Sequence, residues 1–540
     1  MRSRTRIRTG FRTRIRARFR TGRVAGAVLA LALAATGCSD GDGDGKGTAD
    51  SGEYRPGTLR VLASSELADM APVLEEARKA TGVTVRPTYA GTLDAAKRIA
   101  SGEADKQFDA VWLSSNDYLR LNPDSARRIT GETPVMTSPV ALGIRPAAVA
   151  RLGWDPKKVT WAQIDQAVAQ KRLSYGMTDP LRSNSGFSAL VSVASGLSGA
   201  QSALTDKDVK AATPKLKEFF TGQKLTSGSS GWLATAYARR PDVDAVVNYE
   251  SVLLSIPGGL TVIRPADGVV TADYPLTSLT AARPEAKDAV RRLAAQLRTP
   301  AAQRLITERT KRRPVVPGVA PAAGLATDPR RELPFPGSRS VADGLLDSYD
   351  NTLRRPSRTV YVLDTSGSME GERLDRLKAA LTELTGDFRD REEVTMMPFG
   401  TGVKSDEVTT HTVDPGAPKA ALDAIRGDAS RLSASGGTAI YSSLKEAYAR
   451  LDDARADDTF TSIVLMTDGA NTDGDPAAAF DTFHDRSLSP AQQRIPVFPI
   501  LFGDSDRAAL DHIAQLTGGK LFDATTGSLD GAFEEIRGYQ

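Results

Sequence analysis

Val360-Tyr361-Val362-Leu363-Asp364-Thr365-Ser366-Gly367-Ser368 sets the architecture of the C-terminal part of this 540-residue chain. Its apolar, β-rich start, bounded by polar residues, predicts a buried strand. The strand ends on a carboxylate, and two hydroxyls follow at alternate positions of a turn. Such a loop is common, because Asp, Ser and Gly favour turns for local reasons. As a donor set it is all hard oxygen, which suits Mg²⁺ or Mn²⁺ better than zinc.

Two later stretches make the loop more than a turn. Gly436-Gly437-Thr438 opens a helical pattern with Ile440, Leu444, Ala447, Tyr448 and Leu451 on one face. Ile463-Val464-Leu465-Met466 is a second apolar strand, and it ends in Thr467-Asp468-Gly469. With these motifs the chain resembles the von Willebrand factor type A (VWA) domain and its metal-ion-dependent adhesion site. The resemblance implies that Asp364, Ser366, Ser368, Thr438 and Asp468 gather around one Mg²⁺ or Mn²⁺ ion. It further implies that an acidic side chain of a protein partner completes the coordination.

The surrounding pattern agrees with that fold. Leu374, Leu377, Leu381, Leu384 and Phe388 recur at spacings of three and four, an amphipathic helix. Val394 to Phe399 reads as a strand. Ile495 to Gly503 reads as another, and its two prolines point to an edge or an irregular start. Leu510, Ile513, Ala514 and Leu516 form a helix stopped by Gly518-Gly519. Alternating strands and helices predict a doubly wound, mostly parallel α/β (Rossmann-like) sheet over 357–540. Ligands of such sheets sit beyond the carboxyl ends of the strands, where Asp364 and Asp468 fall.

Residues 1–23 carry ten arginines and no acid, and Val24 to Ala35 is a short small-residue apolar run. That is the pattern of a secretory signal over 1–37, too short to span a bilayer. Cys38 is the only cysteine, so no intramolecular disulfide is possible. Ala35-Thr36-Gly37-Cys38 resembles a bacterial lipobox, although Leu is commoner in that family where Ala35 stands. The resemblance implies a lipidated Cys38 and anchoring to the outer face of the cell membrane, where two acyl chains hold stably. The net charge of +4 belongs to the leader, since the remainder carries about −6. Nucleic acid is not an expected partner.

Residues 38–56 form a Gly/Asp-rich tether. Within it, Asp40-Gly41-Asp42-Gly43-Asp44-Gly45 starts like a calcium loop but has Ser51 where a bidentate Glu is required. Gly37-Cys38-Ser39-Asp40-Gly41 fits a hydrolase pattern but lies in the lipobox, not at a strand-to-helix turn.

Residues 57–317 alternate strands and helices again. Strand patterns occur at Thr58 to Ala63, Val83 to Val85, Phe108 to Leu113 and Pro134 to Ile144, and a second lobe is expected from Trp161. The chain is expected to return through Asp244 to Glu250, and helices near 286–297 and 301–308 close the segment. This order resembles the bacterial extracellular solute-binding proteins, a two-lobed periplasmic-binding-protein-like fold. The resemblance implies ligand contacts from Ser64, Ser65, Ser114, Ser115, Ser183, Asn184, Ser185, Tyr249 and Glu250. It also implies closure about crossings near residues 140 and 247. Hydroxyls and N–H groups at helix starts can bind anions, although serine there commonly only caps the helix. Residues 318–356 are rich in Pro, Gly and Ala and read as a linker with a short helix at 341–353. At this length it is expected to pack against its neighbours.

No enzyme is expected. His411, His484 and His512 lie apart from the assembled motifs, and no phosphate loop or zinc-protease motif occurs. A catalytic metal would need a positioned base, and none is evident. The expectation is an exported, lipid-anchored, non-catalytic binding protein. The competing class is the ligand-binding component of a membrane transport system with the metal domain as an accessory.

Overall fold

The computed structural model describes residues 57–386, 388, 391–451, 459–525 and 529–539. The leader, the lipobox with Cys38 and the tether lie outside the described residues. Among the described residues no helix is long and apolar enough to cross a membrane.

Three sheets organise the chain. The first runs β2 (84–89), β1 (58–63), β3 (110–112), β11 (275–279), β4 (129–134). The second runs β10 (271–272), β5 (138–144), β8 (245–249), β6 (175–178), β7 (223–227), and β9 (261–263) also pairs with β5. These two sheets are the centres of two lobes. The single stretch expected at 134–144 is therefore two strands on different sheets, and the chain crosses at 135–137, where Val135 and Met136 are buried.

The return crossing is not at 247. β8 runs between β5 and β6 in the second sheet, paired with both. The chain goes back between β10 and β11, through Asp273 and Tyr274. Tyr274 takes a left-handed φ of 44°. Its N–H donates to the Ser114 carbonyl at 3.0 Å. Its own carbonyl accepts from Trp112 Nε1 at 3.1 Å. The period-2 pattern of 244–250 identified a strand but carried no information on which sheet it joins.

Residues 318–356 pack as a strap. Glu332 bridges to Val269 beside β10, and the Phe335 ring meets Phe187 edge-on at 5.3 Å. The helix Arg339–Ser348 continues into a wider turn, Tyr349–Leu353, whose Tyr349 ring meets Phe220 of lobe two. The same helix reaches lobe one, where the Tyr118 hydroxyl donates to Asp343 Oδ1 at 2.7 Å.

The third sheet runs β14 (409–412), β13 (393–399), β12 (357–364), β15 (460–467), β16 (497–501), β17 (522–523). All its pairs are parallel except β13 with β14. Alternation along the strands separates two cores. Tyr361, Leu363, Val464 and Met466 face the helices Glu372–Leu384, Pro418–Arg431 and Leu529–Arg537. Val360, Val362, Ile463 and Leu465 face Ile440–Ala449, Ala477–Arg486 and Arg507–Thr517. Burying each Leu or Ile in these layers contributes about 1.5–3 kcal/mol. The expected doubly wound arrangement is thus observed. Its proline-bearing strand is neither a full edge nor a full interior strand, because β17 pairs only with Ile500 and Leu501, beyond Pro499.

Candidate functional site

β12 and β15 are neighbours in the middle of the third sheet, so Asp364 and Asp468 emerge side by side at their carboxyl ends. Asp364 has no exposed surface. Its Oδ1 accepts from the Ser366 N–H at 2.8 Å, and its Oδ2 accepts from the Thr467 hydroxyl at 2.6 Å. The Ser366 and Ser368 hydroxyls are 3.0 Å apart, and Ser368 Oγ donates to Asp468 Oδ1 at 2.9 Å. One chain of polar contacts therefore joins Asp364, Ser366, Ser368 and Asp468.

The loop carrying Thr438 is tied to this chain by backbone bonds. The Gly367 N–H donates to the Gly436 carbonyl, and the Ser435 N–H to the Thr365 carbonyl, both at 2.8 Å. Thr438 is buried, its N–H donates to Thr472 Oγ1 at 3.0 Å, and its carbonyl accepts from the Thr472 and Asp473 N–H groups. A Cβ on Gly437 would lie 1.8 Å from Asp473 Oδ2, so a side chain here would displace that carboxylate.

Burial pushes the Asp364 carboxyl above the usual carboxylate range; bonds from Thr467 and Ser366 pull it back, and the Asp468 charge pushes it up further. Two adjacent carboxylates taken out of water require a compensating cation or proton. The donors offered are two carboxylates and hydroxyls, and among the described residues no group of three His, Cys, Asp or Glu side chains gathers as a metal site. The set fits a small hard divalent cation and does not fit zinc. Sequence reading missed Thr467, although it sits in the quoted Thr-Asp-Gly run. It also missed two nearby cations. Arg373 Nη1 lies 2.5 Å from Asp468 Oδ2. Lys404 donates to the Thr365 and Ser433 carbonyls at 3.1 and 2.7 Å.

The cleft residues divide into three groups. Ser64 and Ser114 are buried, and Ser64 Oγ accepts the Ser114 N–H at 3.0 Å instead of capping the helix that follows it. Asn184 Nδ2 donates to the Tyr249 hydroxyl at 2.8 Å, and Ser114 of lobe one and Ser188 of lobe two also contact that phenol. Thus Ser64, Ser114, Asn184 and Tyr249 converge from both lobes. Ser183 and Ser185 form a separate hydroxyl cluster with Thr178 and Ser230, with steps of 2.7–3.0 Å. Ser115 is turned away, bonding Asp117 in its own loop. Glu250 is committed to Arg313, which donates to its two oxygens at 2.7 and 2.8 Å. Ser65 is half-buried beside Ser64.

Two further residues, Arg312 and Glu66, adjoin the polar cluster between the lobes. Arg312 is fully buried, donating to Asp69 at 2.7 Å and to the Glu66 carbonyl at 3.0 Å, with its guanidinium 4.9 Å from the Tyr274 ring centre. Burial raises the Glu66 carboxyl above its ordinary range, and its Oε1 is buried without a hydrogen-bond partner. The lobes touch beside this cluster. Gly91 lies so close to the Arg182 carbonyl that a Cβ would be 2.0 Å from it, and Arg182 is 3.7 Å from Asp94. A separate cavity of about 750 Å³ lies between lobe two and the third sheet, lined by Trp232, Arg239, Phe460 and Arg494 among others.

Two lobes that meet in a buried polar cluster are followed by a parallel-rich sheet with acidic and hydroxyl loops at its carboxyl edge. Comparison with known families divides the chain at the same place. Residues 59–309 match the bacterial extracellular solute-binding protein family, and residues 359–471 match the von Willebrand factor type A domain. The chain is therefore a solute-binding domain followed by a VWA domain. Members of the first family are extracellular, which implies an exported protein.

Among curated relatives, inter-alpha-trypsin inhibitor heavy chain H4 of Sus scrofa is 28% identical over 125 residues, 22% of this chain and 13% of the relative. The chain thus spans a small fraction of that protein's length. Among solved structures, the periplasmic binding protein AfuA of Actinobacillus pleuropneumoniae, with fructose-6-phosphate bound, is similar at 12% identity and a TM-score of 0.43. It covers 55% of this chain and 98% of its own. A von Willebrand factor type A structure from Catenulispora acidiphila is similar at 21% identity and a TM-score of 0.29, covering 34% of this chain and 42% of its own.

Proposed function

We propose that this protein is a lipid-anchored, non-catalytic binding protein of the cell surface that engages a protein partner through a divalent cation. The observation that carries the reading is the polar chain Asp364–Ser366–Ser368–Asp468 at the carboxyl ends of two adjacent strands. Asp364, Ser366, Ser368, Thr438 and Asp468 would hold Mg²⁺ or Mn²⁺. When bound, the ion supplies a Lewis-acid position for an acidic side chain of the partner. The chain's own residues prepare that position. Thr467 and the Ser366 N–H orient the Asp364 carboxyl, and the Gly367–Gly436 bond holds the Thr438 loop against the serine loop. Cys38 would carry the lipid.

Native mass spectrometry of the chain from Ser39 onward, before and after EDTA, tests the metal reading. A mass excess of one cation that disappears with EDTA and is absent in Asp364→Ala is expected. No binding after Mg²⁺ or Mn²⁺ is added back would overturn it.

A second reading, a ligand-binding component of a transport system, is favoured by one observation. Ser64 and Ser114 of lobe one meet Asn184 and Tyr249 of lobe two in a single buried cluster. An EDTA-resistant mass excess lost in Asn184→Ala would support a small-molecule ligand there. Its absence after incubation with sugar phosphates and amino acids would count against the transport reading.

A further inference from the structure

The metal loops carry a cation of their own. Arg373 is the second residue of the helix Glu372–Leu384. Its Nη1 lies 2.5 Å from Asp468 Oδ2, and its Nη2 lies 2.9 Å from Asp504 Oδ2. The two carboxylates differ in setting: the Asp468 side chain has no exposure, whereas the Asp504 side chain is 89% exposed. The guanidinium is itself 37% exposed and spans from one to the other.

The remaining charges around the centre are otherwise engaged. The other Asp468 oxygen accepts from Ser368, and the two Asp364 oxygens accept from the neutral donors Ser366 and Thr467. Lys404 is spent on the Thr365 and Ser433 carbonyls, and Asp473 accepts from the Thr472 hydroxyl. Among the described residues, Arg373 is the cationic side chain paired with Asp364 or Asp468.

We propose that Arg373 is a built-in competitor for the divalent cation at Asp468, with Asp504 as its parking carboxylate. The inference rests on the metal reading above and adds an affinity-setting residue to it. A guanidinium and a divalent ion compete for the charge of one carboxylate, and like charges a few Å apart in a partly buried site repel strongly. A cation at Asp468 Oδ1, the oxygen facing Ser368, therefore weakens the hold of Oδ2 on Nη1 and favours its withdrawal. The bond to Asp504 gives the arginine somewhere to stay that does not disturb the helix start. Arg373 thus sets the cation concentration at which the centre fills, and its withdrawal exposes the Asp468 side of the centre to a partner.

Titration of the whole chain from Ser39 with Mn²⁺, read as loss of the free aqua-ion electron-spin signal, tests this. Arg373→Gln is expected to tighten Mn²⁺ binding about tenfold. Asp504→Asn removes the parking site and is expected to weaken binding several-fold. Arg376→Gln is the control for net charge, since Arg376 lies on the same helix with its guanidinium over the Phe502 ring. It is expected to leave binding within twofold of wild type. Circular dichroism melts establish that each variant is folded. Wild-type binding with an unchanged or weaker Arg373→Gln, or equal shifts in Arg373→Gln and Arg376→Gln, would overturn the competitor role alone. No Mn²⁺ binding by either wild type or Arg373→Gln would overturn the metal reading and this inference with it.

Discussion

Asp165 shows how a single carboxyl can carry a pH dependence away from either site. Burial, then the nearby Glu218 charge, push it up to about 6, and its Oδ1 has no hydrogen-bond partner. A carboxyl raised in the folded state favours the protonated form. Its contribution is fully present below the unfolded value near 4, declines as pH rises, and is lost above about 6. Asp165→Asn is therefore expected to raise the melting temperature at pH 7.5 and to leave it nearly unchanged at pH 4. Solvent screening reduces the gain to about 1–2 kcal/mol. Equal effects at both pH values would contradict this assignment. At this scale, legibility follows sequence distance. Asp364, Ser366 and Ser368 were readable because their spacing is local. Arg373 meets Asp468 across 95 positions, and Arg312 meets Glu66 across 246, so no window of sequence could pair them.

Among the elements, the strands of the third sheet and their flanking helices were legible because period and burial agree along each one. The crossings between lobes were not. β8 and β11 are both short buried strands, and nothing in their composition says that one stays in lobe two while the other returns to lobe one. The glycine pair before Thr438 is the element-scale test of the proposed metal loops. Gly437→Ala would drive a methyl into the Asp473 carboxylate, which is held by Thr472, itself the acceptor for the Thr438 N–H. A several-fold loss of Mn²⁺ affinity with a stability cost of about 1 kcal/mol is expected, measured by titration and urea unfolding. A core substitution behaves differently. Leu377→Ala, at a fully buried position of the helix after the serine loop, is expected to cost about 2–5 kcal/mol while leaving the metal loops assembled.

For the whole molecule, the contact between lobe two and the VWA domain decides whether the parts act together. Trp232 meets Tyr539 edge-on at 4.6 Å, with Phe498 at 6.5 Å. Nearby, buried Glu392 accepts from Arg354 at the end of the strap and from Arg537 in the last described helix, at 3.2 and 2.6 Å. Removing the Trp232 ring is expected to loosen that contact. Calorimetry of Trp232→Ala should then resolve two melting transitions where the wild type shows closer coupling. A single unchanged transition would mean that the strap and the Glu392 cluster suffice.

The same layout has a mechanical consequence. Lobe two borders the amino ends of β15 and β16, near Phe460 and Pro496, whereas Asp364 and Asp468 stand at the carboxyl ends of β12 and β15. Force applied between lobe two, at the amino end of β15, and Asp364, at the carboxyl end of β12, would run along the strands. Pulled that way, the ladder between β12 and β15 is loaded in shear, with its hydrogen bonds sharing the force instead of opening one after another. The central strands would then serve as a tensile member as well as a scaffold.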